Sequence, residues 1–296
     1  MRIGFIGVGN MGGALVRGYA RNGAVTEDCP DEIFVYDSDP EKTEELAGRG
    51  LSIKAAGSLD QLAGLCDVLL LCVKPNIIDE VLDGLAKYGV GACEESVQEV
   101  SSGDAHDKEN RPHCPGKLII SIAAGVSIGH IREKLGPRTR VVRVMPNTPA
   151  MVGEGMSAMS ASDGMLETDI EAAEKLFHAV GGITWVPEEG MDIVTGISGS
   201  SPAYAYLYIE GLIRAGVEGG LSVDEATVLA AQSTLGAAKM VLENLGKTAP
   251  RQLCANVCSP GGTTIEAVKV LEAADFTETV KKAALASAAK SKLMTR

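Results

Sequence analysis

The run Met1-Arg2-Ile3-Gly4-Phe5-Ile6-Gly7-Val8-Gly9-Asn10-Met11-Gly12 decides the reading of the chain. An apolar segment, Ile3 to Ile6, leads straight into Gly7-x-Gly9-x-x-Gly12, and a helical pattern follows from Met11 to about Asn22. Strand, glycine turn and helix in that order form a dinucleotide-binding fingerprint. Gly7 permits the tight turn, Gly9 lets backbone N–H groups of Val8, Asn10 and Met11 approach a pyrophosphate, and Gly12 lets the helix pack closely on the strand. The helix N-terminus then presents free N–H groups and its positive dipole end to the phosphates. A second strand-like run, Ile33-Phe34-Val35-Tyr36, ends on Asp37, where an acidic residue meets ribose hydroxyls. The N-terminal part is therefore read as a nicotinamide- or flavin-binding domain of α/β class.

Outward from this stretch the same alternation continues. Asp39-Pro40-Glu41 opens a capped helix, and Ser58 opens a shorter one. Asp67 to Val73 is an uninterrupted apolar run, as a parallel strand buried on both faces requires. It stops at Lys74-Pro75, which with Val73 falls at the carboxyl edge where open α/β sheets bind ligands. Lys117 to Ile122 is another such strand, and Ala123-Ala124-Gly125 behind it leaves room for something flat. Arg140 to Met145 runs into the stiff turn Pro146-Asn147-Thr148-Pro149 at the same edge. A strand over Met156–Ser160, a helix over Asp169–Val180 and Ile183–Val186 complete a Rossmann domain placed at residues 1–188. Residues 91–116 are polar and aperiodic and read as a surface insertion carrying His106 and His113.

From residue 189 to 296 the pattern is almost wholly helical. The helix from Ala203 to Glu218 is apolar all round, so it must be buried within its domain or against another subunit. An all-α domain of this kind is expected to build a homo-oligomer from dimers. Within it, Asn256-Val257-Cys258-Ser259-Pro260-Gly261-Gly262-Thr263-Thr264 gathers hydroxyl and amide groups around a glycine pair at a helix start. That arrangement reads as a nest for a carboxylate.

Composition bounds the class. The chain has 296 residues and a net charge of −12, which argues against nucleic acid or an anionic membrane as partner. No apolar run approaches the ~18 residues of a membrane span, and a strand in the first residues leaves no room for a leader. Seven cysteines without paired spacing fit reduced thiols of a cytoplasmic protein. Cys254 and Cys258 lack further partners for a metal, so no metal site is assigned.

Beyond these readings, the chain resembles the pyrroline-5-carboxylate reductase family. The segments that carry the likeness are residues 3–12, Val73-Lys74-Pro75, Ser121 to Val126, Met145 to Pro149, Gly196 to Tyr204, Ala238 to Leu242 and Cys258 to Ala267. The resemblance implies NAD(P)H-dependent reduction of the cyclic imine 1-pyrroline-5-carboxylate to L-proline. It implies that Ser259, Gly262, Thr263 and Thr264 hold the substrate carboxylate. It also implies that Thr264 hydrogen-bonds the ring nitrogen and that Asn256 lies near the site. The cofactor would lie against Gly7 to Gly12, Asp37, Ser38, Ser58, Val73 to Pro75, Ala123 to Gly125 and Asn147. Asp37 would repel a 2′-phosphate and favour NADH, whereas Ser38 is available to NADPH. No His, Cys or carboxylate stands out as a general acid. An imine protonated in solution needs only alignment with its hydride donor. Two other readings stay open: a β-hydroxyacid or related imine reductase, for which Lys239 is the one interior lysine, and a non-catalytic nucleotide-binding protein.

Overall fold

The computed structural model describes residues 1–22, 31–48, 52–91 and 116–296. The expected insertion at 91–116, with His106 and His113, lies outside the described residues apart from Gly91 and Gly116. Described residues fall into two compact units. The first holds Met1–Gly199 and Ala288–Arg296, and the second holds Ser200–Ser287.

The first unit is built on one eight-stranded sheet. Its strands are β1 (Arg2–Ile6), β2 (Glu32–Tyr36), β3 (Ile53–Ala55), β4 (Val68–Leu71), β5 (Leu118–Ser121), β6 (Arg140–Met145), β7 (Gly155–Ala161) and β8 (Gly181–Trp185). They lie in the order β3-β2-β1-β4-β5-β6-β7-β8. Pairing is parallel from β3 across to β6, antiparallel between β6 and β7, and parallel again between β7 and β8. The chain therefore winds outward from β1 to β3, then returns to β4 on the other side of β1. That reversal opens a crevice at the carboxyl ends of β1 and β4, the standard ligand position in such sheets.

Helices of the described residues that cover this unit include α1 (Asn10–Asn22), α2 (Pro40–Ala47), α3 (Leu59–Leu65), α4 (Ile78–Lys87), α5 (Ile128–Leu135), α6 (Glu167–His178) and α7 (Met191–Val194). Period-two alternation sorts the strand side chains to the two faces. Ile3, Phe5, Val35, Leu70 and Ile120 pack with Leu15, Val16 and Tyr19 of α1 and Leu176 and Phe177 of α6. Ile6, Phe34, Leu69, Leu71 and Ile119 pack with Leu62 of α3, Leu82 of α4 and Ile131 of α5. With both faces covered, β4 and β5 are buried throughout, as their unbroken apolar sequence requires.

The first unit extends past residue 188, where the sequence places the domain end. Met191 and Val194 of α7 bury against Ala158 of β7. A π-helical turn, Thr195–Gly199, follows. The unit also recovers the last residues of the chain. Ser291 donates to the carboxylate of Asp192 at 2.7 Å, and the backbone N–H of Arg296 donates to the Gly125 carbonyl at 2.9 Å.

The second unit contains α8 (Ser201–Glu218), α9 (Val223–Glu243), α10 (Pro250–Asn256), α11 (Thr263–Ala273) and most of α12 (Phe276–Met294). Small residues set the spacing of α8 and α9, because a Cβ on Gly216 would lie 2.8 Å from that of Ala226. Ala226 and Ala230 are the buried residues of this unit, while Leu207, Val228, Leu229 and Leu242 are exposed. The burial expected for α8 is thus not supplied within the unit. Among the described residues, no helix is long and apolar enough to cross a membrane.

Candidate active site

The glycine turn has the geometry that its sequence demands. Gly7 sits at φ +89°, its N–H donates to the Tyr36 carbonyl at 2.7 Å, and a Cβ there would stand 3.0 Å from the carbonyl oxygen of Cys72. Gly12 brings α1 so close that a Cβ would fall 2.2 Å from the Gly7 carbonyl oxygen. Gly9 is different: it is exposed and nothing lies within 4 Å of where its Cβ would be. Two glycines serve the turn's own packing, and the third leaves open space. The helix that starts at Asn10 makes its first backbone bond from Gly13 to the Gly9 carbonyl, 2.7 Å long. The N–H groups preceding it point to the open end. This cradle fits a dinucleotide pyrophosphate.

Asp37 is drawn into the same turn. Its carboxylate accepts from Val8 N–H at 2.8 Å and from Asp39 N–H at 3.0 Å, and Lys42 stands 3.7 Å away. The acid therefore fixes the loop between β1 and α1 against the end of β2, while Ser38 follows it at the mouth of that edge. Ser58 caps α3, its hydroxyl accepting from Gln61 N–H at 3.3 Å. It lies behind the edge strand β3, two strands out from β1.

At the other side of the crevice, Cys72 N–H donates to the Ile6 carbonyl at 2.8 Å, extending the β1–β4 pairing to Cys72, just before Val73. Lys74 is exposed and Pro75 half-buried beyond it. Burial pushes the Cys72 thiol well above its ordinary range, so this sulfur packs behind the turn as a neutral group. Behind β5 the structure departs from the sequence reading. Ala123 belongs to the core, and the space beside Gly125 (φ +72°) is taken by the chain itself, with the Met294 carbonyl oxygen 2.8 Å from a would-be Cβ. Of that trio, Ala124 alone is part-exposed. Asn147 is also engaged, its amide donating to the Ser198 carbonyl at 3.2 Å and accepting from Met156 N–H at 2.8 Å. It braces the π-helical turn against β7.

In the second unit, the turn after α10 is closed by Gly262 N–H donating to the Ser259 carbonyl at 3.0 Å, with Gly261 at φ +70°. Gly262 is the N-cap of α11 and supplies no side-chain cap, so the first N–H groups of that helix are left to a ligand or solvent. A Cβ on Gly262 would lie 2.4 Å from the Ser259 hydroxyl, so that hydroxyl sits beside the helix start. Thr263 and Thr264 are exposed there. Asn256, the last residue of α10, accepts from the Gln252 amide at 2.9 Å. The sequence-predicted residues thus form two groups, the glycine cradle with Asp37 in the first unit and Asn256 to Thr264 in the second. Lys239 lies exposed on α9, without the enclosed setting a catalytic lysine requires. His130 of α5 pairs with Asp79 at 2.6 Å.

Comparison with known proteins follows the same division. A family model described as pyrroline-5-carboxylate reductase dimerisation matches residues 188–294. Another, described as NADP oxidoreductase coenzyme F420-dependent, matches residues 2–93. The pyrroline-5-carboxylate reductase of Escherichia coli is 38% identical over 93% of this chain and 91% of its own. A Plasmodium falciparum pyrroline carboxylate reductase solved with NADP bound is 33% identical. It superposes with a TM-score of 0.79, covering 100% of this chain and 98% of that one. The Coxiella burnetii pyrroline-5-carboxylate reductase gives 0.82 at 32% identity, over 99% and 98% of the two chains.

Proposed function

The chain belongs to the pyrroline-5-carboxylate reductase family, and from that premise we propose that it reduces 1-pyrroline-5-carboxylate to L-proline with NAD(P)H, the last step of proline biosynthesis. The observation that carries the substrate reading is the start of α11. It is a helix N-terminus without a side-chain cap, flanked by the Ser259, Thr263 and Thr264 hydroxyls. Such a site suits a small carboxylate.

The division of labour follows from the chemistry. Gly7 N–H and Val8 N–H, the latter expected at the pyrophosphate, are taken by Tyr36 and Asp37. The N–H groups of Asn10 to Gly12 would therefore hold the pyrophosphate of the cofactor, with Val73 to Pro75 and Ala124 bordering it and Asn147 bracing the edge from behind. NAD(P)H, when bound, supplies the hydride to the imine carbon. Ser259, Gly262 and Thr263 hold the substrate carboxylate, with Asn256 beside them. The imine nitrogen arrives protonated, so its N–H donates to the Thr264 hydroxyl oxygen. Conversion of C=N to CH–NH then needs no further proton from the protein. Rate enhancement comes chiefly from alignment of donor and acceptor.

For the choice of nucleotide we favour NADH. The Asp37 carboxylate is held at the end of β2 by two backbone N–H groups, the position at which an acidic side chain suits ribose hydroxyls and disfavours a 2′-phosphate. The exposed apolar surface of α8 and α9 supports a homo-oligomer built from dimers, and the free thiols Cys66, Cys72, Cys254 and Cys258 support a cytoplasmic setting.

The test is oxidation of NADH and NADPH, followed by absorbance, with 1-pyrroline-5-carboxylate as acceptor. Turnover with both and a higher kcat/KM for NADH is expected. An NADPH efficiency about tenfold above that of NADH would reverse the nucleotide assignment. Folded protein that binds either nucleotide yet leaves the imine unreduced would remove the enzymatic one.

A further inference from the structure

The residues that close the chain lie on the sheet edge just described. Ser291 and Thr295 both donate to the Asp192 carboxylate, at 2.7 and 3.2 Å, which anchors the end of α12 to α7. The strap then crosses two loops. Arg296 N–H donates to the Gly125 carbonyl at 2.9 Å, and Ser127 N–H donates back to the Arg296 carbonyl at 3.1 Å. This is a two-bond clasp on the loop between β5 and α5. The guanidinium of Arg296 donates to the Pro75 carbonyl in the loop between β4 and α4 and pairs at 3.0 Å with Asp79 in the first turn of α4. Gly125 has its shape because of this contact, since any side chain there would run into the Met294 carbonyl.

We propose that Arg296 is a positioning residue for the cofactor: it ties the Val73–Pro75 and Ala123–Gly125 loops into one edge of fixed spacing. The proposal rests on the reading that a nicotinamide cofactor occupies the carboxyl edge of β1, β4 and β5. Both loops leave adjacent parallel strands, paired from Val68–Leu118 to Leu71–Ser121. One more backbone bond, from Ile122 N–H to the Leu71 carbonyl at 3.1 Å, extends that pairing, and past it Arg296 bonds to both loops. A donor that grips a main-chain carbonyl and a carboxylate together is well served by a planar, forked guanidinium, whereas an ammonium makes either contact less completely. The side chain does not enter the cradle itself, so its effect runs through the loops.

The experiment measures NADH and NADPH dissociation constants by nucleotide fluorescence, together with kcat, KM and Tm, for the wild type, Arg296→Ala and Arg296→Lys. Arg296→Ala is expected to raise the nucleotide Kd and KM about tenfold while kcat stays within about twofold. Arg296→Lys should recover part of that loss. A nucleotide Kd unchanged in Arg296→Ala overturns the proposal. So does a uniform fall in kcat that follows lost folded protein with the Kd intact. Should Arg296→Ala fail to fold, Arg296→Gln keeps the backbone bonds to Gly125 and Ser127 and removes the guanidinium, and an unchanged Kd in that variant overturns the proposal equally. Wild-type protein that binds neither nucleotide sinks the cofactor reading and this inference with it. Normal wild-type binding with indifferent variants sinks this inference alone.

Discussion

A methyl group added at Gly12 would fall 2.2 Å from a carbonyl oxygen, whereas one added at Gly9 would meet open space. The difference separates a glycine required by packing from one available to a ligand. Both were legible in the sequence, because the constraint lies in one short turn. Thr264 is the complementary case, a hydroxyl exposed at a helix start. Thr264→Ala is expected to lower kcat by about tenfold to a hundredfold with Tm unchanged, since in the proposed site its hydroxyl is the hydrogen-bond partner of the reacting ring. Wild-type kinetics in that variant would remove Thr264 from the site. Asp31 was not legible at all. It accepts from Tyr19 OH, from Lys175 at 2.5 Å and from the Met1 amine at 2.8 Å, partners that only the fold brings together. Burial pushes its carboxyl up, but the bonds from Lys175, the amine and Tyr19 outweigh that and leave it below the ordinary carboxylate range. A depressed carboxyl contributes stability above its unfolded pKa, and that contribution is lost as pH falls through the folded value. Asp31→Asn should therefore cost about 2 kcal/mol near neutral pH, less than a fully enclosed pair because Lys175 reaches solvent. Below the folded pKa the gap from wild type should close. Equal denaturant midpoints for the two proteins at neutral pH would refute this.

Elements were read more reliably than their anchors. Apolar runs marked β4 and β5 because a strand covered on both faces admits few polar residues. The antiparallel turn of β7 against β6 was not foreseen, since local pattern carries no strand direction. The role of Asn147 was also hidden: its sequence position at a strand end reads as ligand-facing, yet its amide spans to Ser198 and Met156. A comparable anchor starts α6. Leu166 offers no side-chain cap, and Asp169 serves in its place, accepting from Leu166 N–H at 2.9 Å. The same carboxylate receives Arg140 of β6 at 2.6 and 2.8 Å, nearly out of solvent on both sides. Helix start and strand are thus held by one acid. Asp169→Ala is expected to destabilise the protein by about 3 kcal/mol, the cost of leaving a buried guanidinium unpaired. Asp169→Asn should retain the Leu166 bond and lose less. Urea unfolding of the two variants checks the order, and equal losses would mean that the ion pair, not the helix cap, carries the energy.

At the scale of the whole molecule, the two-part organisation was visible as a switch from alternating strand and helix patterns to helices alone. The sequence places the boundary at 188, where the dimerisation family model also begins, whereas the compact first unit runs on to Gly199 and takes back Ala288–Arg296 through contacts such as Ser291 to Asp192 that have no local signature. Helix α8, with apolar residues all round it, posed a physical question that the sequence raised and one chain does not answer. Its unit buries Ala226 and Ala230, while Leu229 and Leu242 stay 61% and 72% exposed. Fully covering one leucine is worth about 2 kcal/mol, so a surface of such residues left in water favours association strongly. The match of residues 188–294 to a dimerisation family model points to a second copy as the cover. Sedimentation of the wild type is therefore expected to give a dimer or a larger even assembly, with no concentration-independent monomer. Leu229→Glu places a carboxylate on the apolar surface of α9, where covering it would require desolvating a charge without a partner. That variant should shift toward monomer and lose most of its activity, since the helical unit would lack its cover. A wild-type monomer with full turnover would show that α8 and α9 tolerate water, and the oligomer reading would fall with it.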